Sequence, residues 1–292
     1  MMPFLAILQY ELRSLWTSWL VRLWFIAAAL LALLTLASGW GSLRTPVLIG
    51  ALLFPFLVFP WYLIVSILGI SPVTGSRLDA LADGILSRSI TRYEYLLASW
   101  AARVCMVLIV FLVIVAPAVV IVYFAERPVP EDAVTIYGIV CTLVLVSLVL
   151  TFLVSLGFLA GTLVRRPLVA AVLLLFVWFP INVVLDTFSL EEFSPISLNR
   201  AVPTLLTTPW RVAEGEEDNS VSQADMEDMA RQAAEFMSVL SGSPQPRAER
   251  SPDFFERSSY DDFSLWRVLL GYGFPTLAAI GLATLCFSWR DL

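Results

Sequence analysis

Charge is so sparse along this chain that its gaps divide it. Six stretches contain no Asp, Glu or Arg: 23–43, 45–76, 104–125, 133–164, 167–185 and 268–289. A helix rises about 1.5 Å per residue, so about 20 apolar residues cross a hydrocarbon core of about 30 Å. Each gap is close to that length or longer, and each is rich in Leu, Val, Ile, Ala and Phe. Composition agrees: 59% of the residues are hydrophobic and 14% charged, where a soluble domain carries about a quarter charged. The expected fold is an all-α integral membrane protein with six transmembrane helices. A lipid bilayer is then its first partner.

Orientation follows from the arginines. Arg13, Arg22, Arg77, Arg88, Arg92, Arg103, Arg165, Arg166 and Arg290 collect on one side of such a topology, and the short loops opposite hold Arg44 and Arg127. The positive-inside rule makes the first side cytoplasmic, with both termini there. The expected location is a bacterial inner (plasma) membrane, crossed many times. Trp40, Trp100, Trp266 and Trp289 lie near the span ends, where an aromatic belt sits. Arg103 lies close enough to a span end to snorkel toward water. Pro55, Pro60, Pro117, Pro180 and Pro275 fall within or near the ends of spans, where each frees a helix carbonyl.

Three segments are expected outside the hydrocarbon. Residues 3–20 place Phe4, Leu8, Leu12, Leu15, Trp16 and Trp19 at helical spacing, with Gln9, Glu11, Arg13, Ser14, Thr17 and Ser18 filling the remaining surface. That pattern predicts an amphipathic helix lying in the cytoplasmic interface. In residues 76–92, Ser76 and Asp79 have capping-box spacing. Leu78, Leu81, Ala82, Ile85 and Leu86 then form one apolar stripe, with Arg77, Asp79, Asp83, Ser87 and Arg88 on the other faces. Thr91 and Glu94 make a second capping box that opens the third span. The third segment, 187–264, carries 15 acids and 6 Arg, and topology puts it outside the cytoplasm. Within it, 222–240 reads as a helix with Met226, Met229, Ala233, Phe236, Met237 and Leu240 on one face. The chain thus divides into 1–186, with the short cytoplasmic helix at 76–88; the acidic, partly helical 187–264; and 265–292 with the sixth span.

Two absences limit the chemistry. The chain has no His, so it lacks the commonest general base and metal ligand. All 18 basic residues are Arg, so no Lys exists to reach the phosphates of a Walker A loop. Any ATP hydrolysis belongs to another chain; no catalytic residue, metal site or cofactor is expected, and nothing points to nucleic acid. Cys105, Cys141 and Cys286 are scattered through apolar runs and read as small buried hydrophobes.

The stretch around 76–97 resembles the coupling-helix region of type-2 ABC exporter permeases. The matching residues are Ala80-Leu81, Ile85-Leu86-Ser87-Arg88, Ile90-Thr91-Arg92 and Leu96-Leu97. Ser89 stands where that family usually has proline, Asp79 where it often has glycine, and Ala98-Ser99 where Gly-Lys is common. The resemblance implies a non-enzymatic permease subunit paired, as homo- or heterodimer, with a second permease. It also implies a separate ABC ATPase subunit contacting Arg77, Leu78, Asp79, Leu81, Asp83, Arg88 and Arg92. The segment 187–264 is longer than the short re-entrant helices usual there. A secondary transporter or channel would want charges at the bilayer midplane, which none of the six gaps holds; a non-transporting membrane scaffold is the other alternative. The substrate is not legible.

Overall fold

A computed structural model of the chain describes residues 2–58, 60–70, 92–125, 127, 134–164, 166–187, 194–207 and 265–290. These form α1 (Met2–Thr17), α2 (Trp19–Gly39), α3 (Thr45–Leu57), α4 (Trp61–Ile70), α5 (Arg92–Phe124), α6 (Ile136–Leu163), α7 (Pro167–Thr187), α8 (Pro195–Thr207) and α9 (Leu265–Arg290). No strand occurs among the described residues. The expected helices at 76–88 and 222–240 lie outside them.

Five helical stretches are long and apolar enough to cross a membrane: Trp19–Gly39, Thr45–Ile70, Tyr93–Phe124, Ile136–Leu163 and Trp266–Cys286. In α7 the apolar stretch Pro167–Trp178 is shorter. Large apolar side chains stand on the outer surface, such as Leu33, Phe124, Leu168, Phe176 and Phe274. Water would penalise so much apolar surface, whereas lipid does not. The chain is an all-α, multi-pass membrane protein.

One of these stretches is not a single unbroken helix. Within Thr45–Ile70, α3 ends at Leu57 and α4 begins at Trp61, and Pro60, which has no N–H to donate, immediately precedes α4. The third span opens at Arg92, as the Thr91 and Glu94 spacing predicts, well before its charge-free stretch. α5 is one helix of 33 residues, about 50 Å long, and its first dozen residues carry Arg92, Glu94 and Arg103.

The core draws on α2 to α9, with Trp24, Phe56, Tyr62, Met106, Phe111 and Leu150 fully enclosed. Within it α4 crosses close on α6. A Cβ added at Gly69 would sit 2.6 Å from the Val154 carbonyl oxygen, one at Gly157 2.6 Å from that of Ser66, and one at Gly161 2.7 Å from that of Ile70. The Gly157-x-x-x-Gly161 spacing lets the two backbones touch, as small residues do wherever membrane helices approach closely. An aromatic chain fastens α7 and α9 to this pair. Tyr62 stacks on Trp178 at 5.2 Å, and Phe152 lies 6.1 Å from Trp178 and 5.5 Å from Tyr272.

The cysteines are not core residues: Cys105 is exposed on α5, and Cys141 and Cys286 are half-exposed. On a helix bathed in lipid, an outward face accepts a small apolar thiol as readily as the core does.

The 195–207 helix, which the sequence pattern did not distinguish from the rest of the acidic segment, is docked in the bundle. Leu198, Ala201, Val202, Leu205 and Leu206 of α8 are buried. Leu206 accepts a hydrogen bond from the Thr135 backbone N–H at 2.9 Å, just before α6. Gly138 permits this contact, since a Cβ there would lie 2.7 Å from the Leu206 Cα.

Candidate functional site at the 70–92 junction

The residues expected to contact an ATPase sit between α4 and α5. Arg77, Leu78, Asp79, Leu81, Asp83 and Arg88 lie outside the described residues, and Arg92 is the first residue of α5. What the structure describes is the frame that holds both ends of that segment.

Arg103 is the centre of the frame. It is 3% exposed, so it does not snorkel to water. Its Nε donates to the Leu68 carbonyl at 3.1 Å and its Nη1 to the Ser99 hydroxyl at 2.6 Å and to the Ser99 carbonyl. Its Nη2 lies 3.6 Å from Glu11 Oε2, whose side chain is also mostly buried. One guanidinium thereby joins α1, the last turn of α4 and α5. A planar, five-donor fork suits that task, because its directions can be satisfied by separate elements. A buried charge without such partners would cost several kcal/mol. Nearby, Trp100 Nε1 donates to Ser155 Oγ at 3.0 Å, and that hydroxyl donates to the Thr151 carbonyl at 2.8 Å, which brings α6 into the junction. Leu96, Phe158 and Ala283 pack together beside it and add α9.

Glu11 corrects the expected polar face of the first helix. Phe4, Ile7, Leu8, Glu11, Leu12 and Leu15 are the partly covered positions, at helical spacing, while Trp16 and Trp19 are 49% and 77% exposed. The helix ends at Thr17, and Ser18 caps α2 by accepting from the Val21 N–H at 3.3 Å. Trp19 therefore belongs to α2 rather than to the stripe of α1. Glu11 faces inward because Arg103 is there to meet it.

No family model matches the chain, and no curated protein matches it.

Both halves of the junction had a signal in the sequence. Arg103 is the single charge between Glu94 and Glu126, and Glu11 sits seven residues after Phe4 and four before Leu15. Nothing in either pattern, however, names the other as its partner.

At the opposite end of the bundle a second arginine does comparable work. Arg127 Nη2 donates to the carbonyls of Gly39 at 3.1 Å, Trp40 at 2.7 Å and Leu43 at 2.7 Å, and its Nε donates to Trp40 O at 3.2 Å. The guanidinium carbon also lies 5.5 Å from the centre of the Trp40 ring, within reach of a cation–π contact.

Proposed function

We propose that the chain is the membrane-spanning permease subunit of an ATP-driven exporter, coupled to a separate ATPase subunit and paired with a second permease. In this reading α7 is the fifth of six spans. Both termini and residues 71–91 face the cytoplasm of a bacterial cell, 187–264 faces outward, and 76–88 is the coupling helix. The observation that carries the reading is the Arg103 junction. A coupling element must pass a displacement to several membrane helices at once. Ile70 and Arg92, the two ends of the segment, leave from helices that one buried guanidinium ties to each other and to α1. The resemblance of 76–97 to coupling-helix sequences and the lack of any Lys for a phosphate loop point the same way.

A secondary carrier or channel would place an ionisable group along an open path. Arg103 is instead enclosed, held by the Leu68 carbonyl, the Ser99 hydroxyl and the Glu11 carboxylate, which favours the exporter. A scaffold subunit differs from a permease in what its loop does.

The test is crosslinking from a cysteine at position 83 to ATPase subunits in a complex isolated from native membranes. Asp83→Arg should weaken association or uncouple ATP hydrolysis from transport, because a like-charge clash at a docked surface costs on the order of a few kcal/mol. Leu81→Asp should do more harm, since it buries an unpaired charge. No crosslink, with ATPase activity unaltered in both variants, defeats the proposal. The orientation is tested separately: a cysteine at Ser220 should react with an impermeant reagent on intact cells, and reaction only after lysis would invert the topology.

A further inference from the structure

A cavity of about 610 Å³ lies between α2, α3 and α8, within the size range of small-molecule sites. Its lining on α3 runs from Val47 to Pro55, about 12 Å at the helical rise, and Pro60 also lines it. Val47 and Phe54 on its rim are 42% and 44% exposed on α3, so it opens sideways, toward lipid.

Two polar side chains line this cavity, Asn199, whose amide carries both an acceptor and a donor, and Thr35. Asn199 Oδ1 is buried and has no hydrogen-bond partner. Pro203 follows Asn199 by four residues inside α8, and Pro55 follows Ala51 by four inside α3; all four residues line the cavity. A proline has no N–H, so the carbonyls of Ala51 and Asn199 lose the donor that a helix normally supplies. The one hydroxyl in the lining, Thr35 Oγ1, already donates to the Leu31 carbonyl at 2.9 Å. No charged residue among the described residues lines the space. A buried amide acceptor without a donor, in an uncharged apolar recess open to lipid, suits a neutral lipid whose hydroxyl can both donate and accept.

We infer that the cavity is a binding site for a neutral, hydroxyl-bearing lipid, of which a monoacylglycerol is the simplest form, entering sideways from the bilayer. The site involves none of residues 76–92, so it stands or falls independently of the exporter reading.

The test uses the full chain in phosphatidylcholine nanodiscs with a monoacylglycerol whose acyl chain carries a diazirine. Photolabelling should map to α3 and α8, and unlabelled monoacylglycerol should compete while the fatty acid of the same chain length does not. Ala51→Trp should fill the slot and cut labelling about tenfold or more. Asn199→Leu removes the acceptor at similar volume and should weaken monoacylglycerol labelling about fivefold, leaving a diazirine alkane without hydroxyls unaffected. This second variant keeps the test open if Ala51→Trp fails to fold. Equal labelling by the fatty acid, label spread over all outward faces, or labelling unchanged in both variants would overturn the site.

Discussion

The two ends of the bundle each hang on one arginine, and the arginines solve different problems. Arg103 is buried, and a carboxylate from another helix supplies its counter-charge. Arg127 is only partly buried and binds backbone carbonyls around the C-terminal end of α2, together with the Thr45 hydroxyl at 3.4 Å. Carbonyls at a helix C-terminus lack intrahelical donors and carry partial negative charge. Arg127 is therefore a cap, and it stabilises a turn within one local region of the fold. The Arg103 cluster joins the side chains and backbones of three helices, and its ion pair can break without unravelling any one of them. The lesson is that a lone Arg near a span end can be a snorkel, a cap or a junction, and only its neighbours say which.

Glycine offers the harshest way to break this comparison. Gly157→Leu should be the most damaging change, costing about 3 kcal/mol or more, because its Cβ would meet the Ser66 carbonyl rather than a movable side chain. Loss of the monodisperse peak in detergent would report it. Gly138→Val, at the Arg127 end, should release α8 from α6 with the bundle intact, seen as faster hydrogen exchange over 195–207 and an unshifted main peak. If both variants behave alike, the two ends are not separate units.

The ion pair comes next. Glu11→Ala should lower stability by about 1–3 kcal/mol, since Arg103 keeps its carbonyl and hydroxyl acceptors while losing its counter-charge. Replacing both by Leu should restore part of that loss, because an apolar pair suits the site better than one unpaired charge. A double variant less stable than either single one, by thermal melting in detergent, would rule out the junction. The smallest effect is expected for Arg127→Gln, about 1 kcal/mol. It should appear as faster exchange at 39–45, and a loss larger than that of Glu11→Ala would reverse the ranking of the two ends.

Much of this architecture is legible in the residue order because the solvent is lipid. A hydrocarbon layer of fixed thickness demands an uncharged run of fixed length, and nothing about tertiary contacts is needed to recognise one. The amphipathic character of the first helix was equally readable, since a 3.6-residue period is local. What residue order could not supply was anything set by a neighbour. Glu11 looked like part of a wetted face and is turned inward by Arg103; Arg103 looked free to snorkel and is held under α1. The helix at 195–207 was hidden within an acidic segment, because its apolar face has meaning only against α3 and α6. The asymmetry is physical: lipid acts on each span separately, whereas burial of a charge, the contact of two glycine backbones or the docking of a short helix requires both partners to be present.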